Sequence, residues 1–265
     1  MNEKRNAFPR VEQWQLTHFS TPPFDHLQHI MRDLEQSAWP KVDELAEFLT
    51  MPADGIQFSE QLVEGRYYEQ IVYEDKQVPT RVENWHDFYN ACIWRLFPQS
   101  KQALNHLHIQ EIEQYGLKPR TPRRDRVTHF DECGVILAYS NEHIPALLGE
   151  HEWQSAFVEG KSCWGKKAQA FIFGHANYEM LMQPHIGLTG KWFGICVDEA
   201  FWRLPIAAQY QHLDAQLLDY ILQPTSFTVK ADLKPLPLLG VPTWFADNED
   251  PSFYHNAQYF RPKRR

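Results

Sequence analysis

No stretch of this sequence approaches the ~18 consecutive apolar residues that a membrane-crossing helix needs, and residues Met1 to Pro9 contain no apolar segment of the signal-peptide kind. Glycine is scarce, with 12 in 265 residues, and none fall in a Gly-x-Gly-x-x-Gly or Gly-x-Ser-x-Gly arrangement. The dinucleotide fingerprint and the nucleophile elbow are therefore absent. Gly187-Leu188-Thr189-Gly190-Lys191-Trp192 is too short for a phosphate-binding P-loop, and no Ser or Thr follows the lysine. His151-Glu152 lacks the second histidine of a zincin helix. The four cysteines, Cys92, Cys133, Cys163 and Cys196, form no Cys-x-x-Cys pair. Their apolar flanks predict buried free thiols in a reducing cytoplasm rather than disulfides or a zinc knuckle. Excess positive charge is missing too: 26 Lys and Arg face 34 Asp and Glu, a net charge of −8. That balance argues against a surface built to bind polyanions, though not against a local basic patch.

Aromatic residues are plentiful, at 14% with nine tryptophans, so broad flat side chains need burial. Residues 1–55 read as an irregular arm followed by a helical hairpin packed on the body. Asp25 suits the start of a helix to about Gln36, and Pro40 the first turn of a second. The strand formers Tyr67, Tyr68, Ile71, Val72 and Tyr73, followed by Glu74-Asp75-Lys76, predict an exposed hairpin. Residues 56–265 form the main body, with strands at Val135–Tyr139, Gln169–Phe173 and Trp192–Val197. Helices fit His143–Phe157 and the run marked by Ile206, Tyr210, Leu213, Leu217 and Ile221. The proline-rich tail from Lys234 predicts an ordered extended strap with a frayed basic end, Arg261 to Arg265. The fold class expected is α+β, one mixed domain, mainly helical around a small sheet.

The stretch Asn84 to Glu132 concentrates the polar side chains. Trp85, Phe88, Tyr89, Cys92, Ile93, Leu96 and Phe97 draw one apolar stripe on a helix capped by Asn84 and stopped before Pro98. Asp87, Asn90 and Trp94 lie on the other side, with His86 at the stripe's edge; an indole there predicts that both faces are covered. A second helix, about Gln99 to Gln114, aligns Lys101, Asn105 and His108 on its inner side, which needs polar partners. Lys118 to Arg126 reads as a basic loop with five positive charges and one negative, and Thr128-x-x-Asp131 resembles a capping box opening the next helix.

Several of these runs also resemble a known family. Asn84-Trp85-His86-Asp87-Phe88-Tyr89-Asn90, Phe97-Pro98-x-x-Lys101, Thr128-x-x-Asp131-Glu132-x-Gly134 and Phe173-Gly174-His175-Ala176 belong to the set. Leu104-Asn105, His108, Arg124-Asp125, Gly187-Leu188-Thr189-Gly190-Lys191, Leu239-Gly240-Val241-Pro242, Asp250-Pro251-x-Phe253-Tyr254 and Phe260-Arg261-Pro262 complete it. In order, they resemble the proteobacterial DUF3025 family, a domain of unknown function, from roughly residue 56 onward. The resemblance implies a bacterial cytosolic protein and brings no activity.

Chemistry must therefore be read from side chains. His86, Asp131, Glu132 and His175 are candidate ligands for a divalent metal of unspecified identity, since such ions need two to four imidazole or carboxylate ligands brought together. His175 and Glu179, four apart on a helix, form a second pairing of that kind. With 13 histidines in the chain, chance pairing is the competing account. Asp87 is the candidate base, with Lys101, Asn90, Asn105 and His108 around it; the alternative is a buried network that fixes helix packing. Arg124, Arg123 and Lys191 are candidates for holding an anion, and Arg120 and Arg126 of the basic stretch could clamp phosphate with the first two. The resulting expectation is a metal-assisted hydrolase of a small phosphorylated or nucleotide-like substrate. A non-catalytic module presenting residues 118–126 to RNA or another acidic partner, and a scaffold using its aromatic surface, are the competitors. No membrane partner is expected, and the oligomeric state is open.

Overall fold

The computed structural model describes residues 14, 19–31, 38–48, 55–60, 65–229 and 233–263. Most of the expected N-terminal arm, the expected helix beyond Met31 and the last two residues lie outside that set. What is described at the front is a 3-10 turn, Phe24–Leu27, leading into α1 (Gln28–Met31), then α2 (Val42–Phe48). Trp14, Trp39 and Phe19 pack on Trp85, with Trp14 stacked on it at 5.2 Å between ring centroids. Much of the aromatic excess goes into this cluster, which extends through Tyr89 to Tyr178.

The expected hairpin is replaced by a different unit. β1 (Gln57–Ser59) and β2 (Gln77–Pro79) pair in parallel, and α3 (Tyr68–Asp75) connects them. Tyr68, Ile71 and Val72 satisfy helical spacing, and burial of Ile71 and Val72 overrides their strand preference. α4 (Trp85–Leu96) follows as expected, its first turn capped by Asn84, whose side chain accepts from the Asp87 amide at 3.1 Å. Trp94 is 1% exposed, so both faces of α4 are covered. α5 (Pro98–Tyr115) begins at once, and its first amides are satisfied by Asp214, which accepts from Gln99 N at 3.1 Å and Ser100 N at 2.9 Å.

The basic stretch is not a loop beyond Thr121. That residue caps α6 (Pro122–Cys133), accepting from the Arg124 amide at 3.1 Å, with Pro122 at the first helical position. Thr128 is therefore mid-helix, and the expected capping box does not exist. α6 runs directly into β3 (Gly134–Tyr139), the buried strand of a four-stranded sheet whose order is β4-β3-β5-β6. β4 (Ala168–Ile172) pairs antiparallel with β3, β5 (Thr189–Cys196) parallel with it, and β6 (Lys234–Pro237) antiparallel with β5. The expected helix from His143 to Phe157 is broken: α7 (His143–Gly149) ends before His151 (φ 60°), and a π-turn covers Ser155–Glu159. α8 (His175–Leu181) packs on α4, and α9 (Ile206–Ile221) on α5. The tail is the ordered strap expected: β6 forms an edge strand that tolerates Pro235 and Pro237, then 3-10 turns follow. Only Cys92 is buried as expected; Cys133 and Cys163 are half-buried and Cys196 is exposed at the end of β5, so apolar flanks misjudged three of the four free thiols.

Candidate functional site

Helices α4, α5, α6 and α8 and the start of α3 surround a cavity of about 380 Å³. Helical spacing determines what each contributes. α4 presents His86, Asp87, Asn90 and Trp94; α5 presents Lys101, Asn105 and His108; α6 presents Thr128, Asp131 and Glu132; α8 gives His175.

Two glycines bring the last of these into place. A Cβ on Gly174 would meet the backbone of Glu132, Cys133 and Gly134 at 2.3–2.4 Å, and one on Gly134 would meet Phe130 O at 2.4 Å. Without side chains, the end of β4 lies directly on the junction of α6 and β3, where Gly134 O accepts from Gly174 N at 2.8 Å. His175, the next residue, is thereby set beside Glu132.

His86, Glu132 and His175 offer one ligand atom each, all within 4.8 Å of one another. The two imidazole Nε2 atoms are 3.0 Å apart, and Glu132 Oε2 lies 3.5 Å from that of His175 and 3.9 Å from that of His86. Ligands at ~2.0–2.2 Å around one tetrahedral ion stand about 3.3 Å from each other, so these separations suit a single small cation. Glu179 does not join the group. It sits behind it, its Oε2 2.9 Å from His86 Nδ1, which puts the proton on Nδ1 and leaves the Nε2 lone pair for a ligand. Burial pushes the His86 pKa down, but the hydrogen bond to Glu179 and the charges of Glu132, Glu179 and Asp87 outweigh it and raise it. Burial, reinforced by Lys101, lowers that of His175 to about 3, so this ring is neutral at ordinary pH and has a lone pair to offer. Glu132 is raised, by burial first and by Asp131 next among the causes that push it up.

Asp131, expected among the ligands, turns elsewhere. Lys101, 3% exposed, donates to Asp131 Oδ1 at 2.5 Å and to Asn90 Oδ1 at 3.0 Å. Burial raises the Asp131 pKa, but the positive charge of Lys101, which also donates to it, more than reverses that. Asn90 Nδ2 in turn donates to Tyr68 Oη at 3.1 Å, and the Asn105 amide to the Glu69 carbonyl at 2.8 Å. Asp87 is fully engaged by Arg81, which donates to it from N, Nε and Nη2 at 2.7–2.9 Å. His108 is 5% exposed; its Nδ1 lies 3.9 Å from Glu69 Oε1 and has no hydrogen-bond partner. Burial first, then the positive Arg124, Arg120 and Lys101, lower its pKa to about 4 despite Asp131. Burial also raises Glu69.

Arg123, Arg124 and Lys191, expected to hold an anion, do not line the cavity. Arg123 bonds Ser226 and stands 3.5 Å from Glu111. Lys191 is on β5 opposite Gly134. Arg124 is wholly buried, donating to Leu117 O at 3.0 Å. Residues in the lining that the sequence did not single out as a site are Tyr67, Tyr68, Glu69 and Arg81, the first three of which fell in the misread hairpin. Arg120, of the basic stretch read as able to clamp phosphate, does line the cavity.

A family model described as a protein of unknown function, DUF3025, matches residues 56–264. No curated protein and no solved structure matches the chain.

Proposed function

Because the chain belongs to the DUF3025 family, whose description assigns no activity, we propose a function from the site alone: a divalent-metal-dependent hydrolase of a small phosphorylated or nucleotide-like substrate. The observation that carries this reading is the convergence of His86, Glu132 and His175 from three separate helices on one point of the cavity, with Glu179 orienting His86 from behind. An ion held there supplies a polarised water and a Lewis acid for the substrate oxygen. Lys101, held by Asn90 and Asp131, sets an ammonium group in the cavity wall whose charge Asp131 balances. Asp87, occupied by Arg81, is not free to act as the base first expected of it.

The competing RNA- or acidic-partner reading draws on residues 118–126. Arg123 and Arg126 in that stretch are committed to Ser226, Phe227 and Thr228, which ties α6 to the segment after α9 and leaves little free basic surface. The test is metal content and thermal shift of the chelator-stripped protein with Zn²⁺, Mn²⁺ and Mg²⁺. We expect one ion per chain and a stabilisation that both His175→Ala and Glu132→Gln remove. A chain that takes up none of the three ions would end the metal reading.

A further inference from the structure

The cavity has four cations in or just behind its wall, and they differ in how their charge is met. Arg81 is paired with Asp87, and Lys101 with Asp131. Arg120 and Arg124 have no carboxylate within ion-pair distance among the described residues; their charges do act on Glu69, where burial outweighs them and raises the pKa. Both guanidinium groups instead lie over the ring of Tyr67, at 5.8 and 5.6 Å from its centroid. Arg124 is 0% exposed, and its Nε and Nη2 donate to nothing. A buried guanidinium left without a paired anion, as that of Arg124 is, is costly, and the exposed Arg120 sets a second positive charge beside it. Two guanidinium groups on one tyrosine ring, neither of them in an ion pair among the described residues, make a wall suited to an oxyanion.

The donors around Arg120 fit the same ligand. Its Nε and Nη2 both donate to Tyr67 Oη, and Nη1 reaches Thr128 Oγ1 at 3.5 Å, which leaves two of its five N–H groups. Both hydroxyls act as acceptors in these contacts, so their own hydrogens remain to be donated. On the same wall the unpartnered Nδ1 of the buried His108 lines the cavity. Guanidinium, two hydroxyls and an imidazole are a donor set that a tetrahedral oxyanion can satisfy with several oxygens at once. Thr128 and Glu132 are four residues apart on α6, so the donor set and the metal ligands are separated by about one helical turn, ~6 Å along the axis.

We infer that the substrate carries a phosphomonoester group, bound at the Arg120 end of the cavity by Arg120, Tyr67, Thr128 and His108, one helical turn from the bond cleaved at His86, Glu132 and His175. The position of the cleaved bond rests on the metal-hydrolase reading; the phosphate subsite stands on its own residues. Arg124 acts behind Tyr67 by its field rather than by contact.

The test is calorimetric titration of the full chain with inorganic phosphate, after chelation and again with metal restored. Phosphate is expected to bind the metal-free chain with one site. Arg120→Gln, an exposed position, is expected to weaken it roughly tenfold or more, the loss of a charge-assisted hydrogen bond, while metal uptake is kept. Thr128→Val is expected to weaken it less. Three results would overturn the inference: no phosphate binding without metal, unchanged affinity in Arg120→Gln, or succinate binding as tightly as phosphate. Arg120-dependent phosphate binding in a chain that takes up no metal would sink the hydrolase and leave the subsite standing.

Discussion

The rings of His86 and His175 meet edge to face, tilted by 74° with centroids 4.4 Å apart, and their Nε2 atoms point at one another across 3.0 Å. One of these rings donates to the other when no ion intervenes; with an ion, both lone pairs turn to it. Glu179→Gln separates the two states. It keeps a hydrogen bond to His86 Nδ1 but removes the charge behind the ring, so metal affinity is expected to fall roughly 10–100-fold. The melting temperature of the metal-free protein should barely move. Competition titration against a chromophoric chelator measures the first, and a thermal scan the second.

Gly174→Ala makes a different demand. Its Cβ would strike backbone atoms of Glu132, Cys133 and Gly134, which cannot rotate away. A loss of about 3 kcal/mol or more is expected from this overpacking, read as a shift in the urea midpoint. Whatever folded protein remains should bind metal weakly, because His175 is displaced from Glu132.

Lys101 and Asp131 test how much of the cavity wall is architecture. Lys101→Met leaves the Asp131 carboxylate without its cation in a sheltered place, and a loss of about 3 kcal/mol is expected. The double variant with Asp131→Leu is expected to recover most of it, since a well-filled apolar pair can replace a buried ion pair. A double variant as unstable as the single one would contradict this account.

Acid should expose His108. Its folded pKa, about 4, is lower than the ~6.5 of an unfolded chain. The unfolded chain therefore takes up a proton below pH 6.5 that the native protein refuses until about pH 4. Stability from this group is present above 6.5 and is lost as pH falls through that window, with a slope approaching about 1.4 kcal/mol per pH unit. Chemical unfolding at steps from pH 7 to 4.5 should show a shallower decline for His108→Gln than for the natural chain.

How much of this was legible beforehand differs by segment. α4 could be read residue by residue, because its stripe, its Asn84 cap and the stop at Pro98 all agree with its tertiary surroundings. Tyr67 to Tyr73 could not, because strand propensity is weak beside the burial that Ile71 and Val72 obtain on a helix. In α6 the local signal was present but outweighed: Thr121-Pro122 is a cap followed by a helix-starting proline, yet the arginines after it suggested a loop. The metal group shows the same limit in another form. Asp131 and Glu132 are neighbours with equal credentials, and a turn of ~100° on the helix separates the one that meets Lys101 from the one that faces the imidazoles. That choice depends on where α5 lies, which no local pattern specifies.

The tail strap bears on when the protein can finish folding. β6 is the outer neighbour of β5, and the hydroxyl of Tyr259 fastens the strap by donating to Leu188 O at 2.6 Å while accepting from Leu239 N at 2.9 Å. During synthesis β5 is thus left with a bare hydrogen-bonding edge until some forty further residues have emerged after it. An edge of that kind invites other nascent chains. Pairing with β6 covers that edge at Thr189–Trp192, so the strap shields the stretch of β5 that other strands could otherwise join.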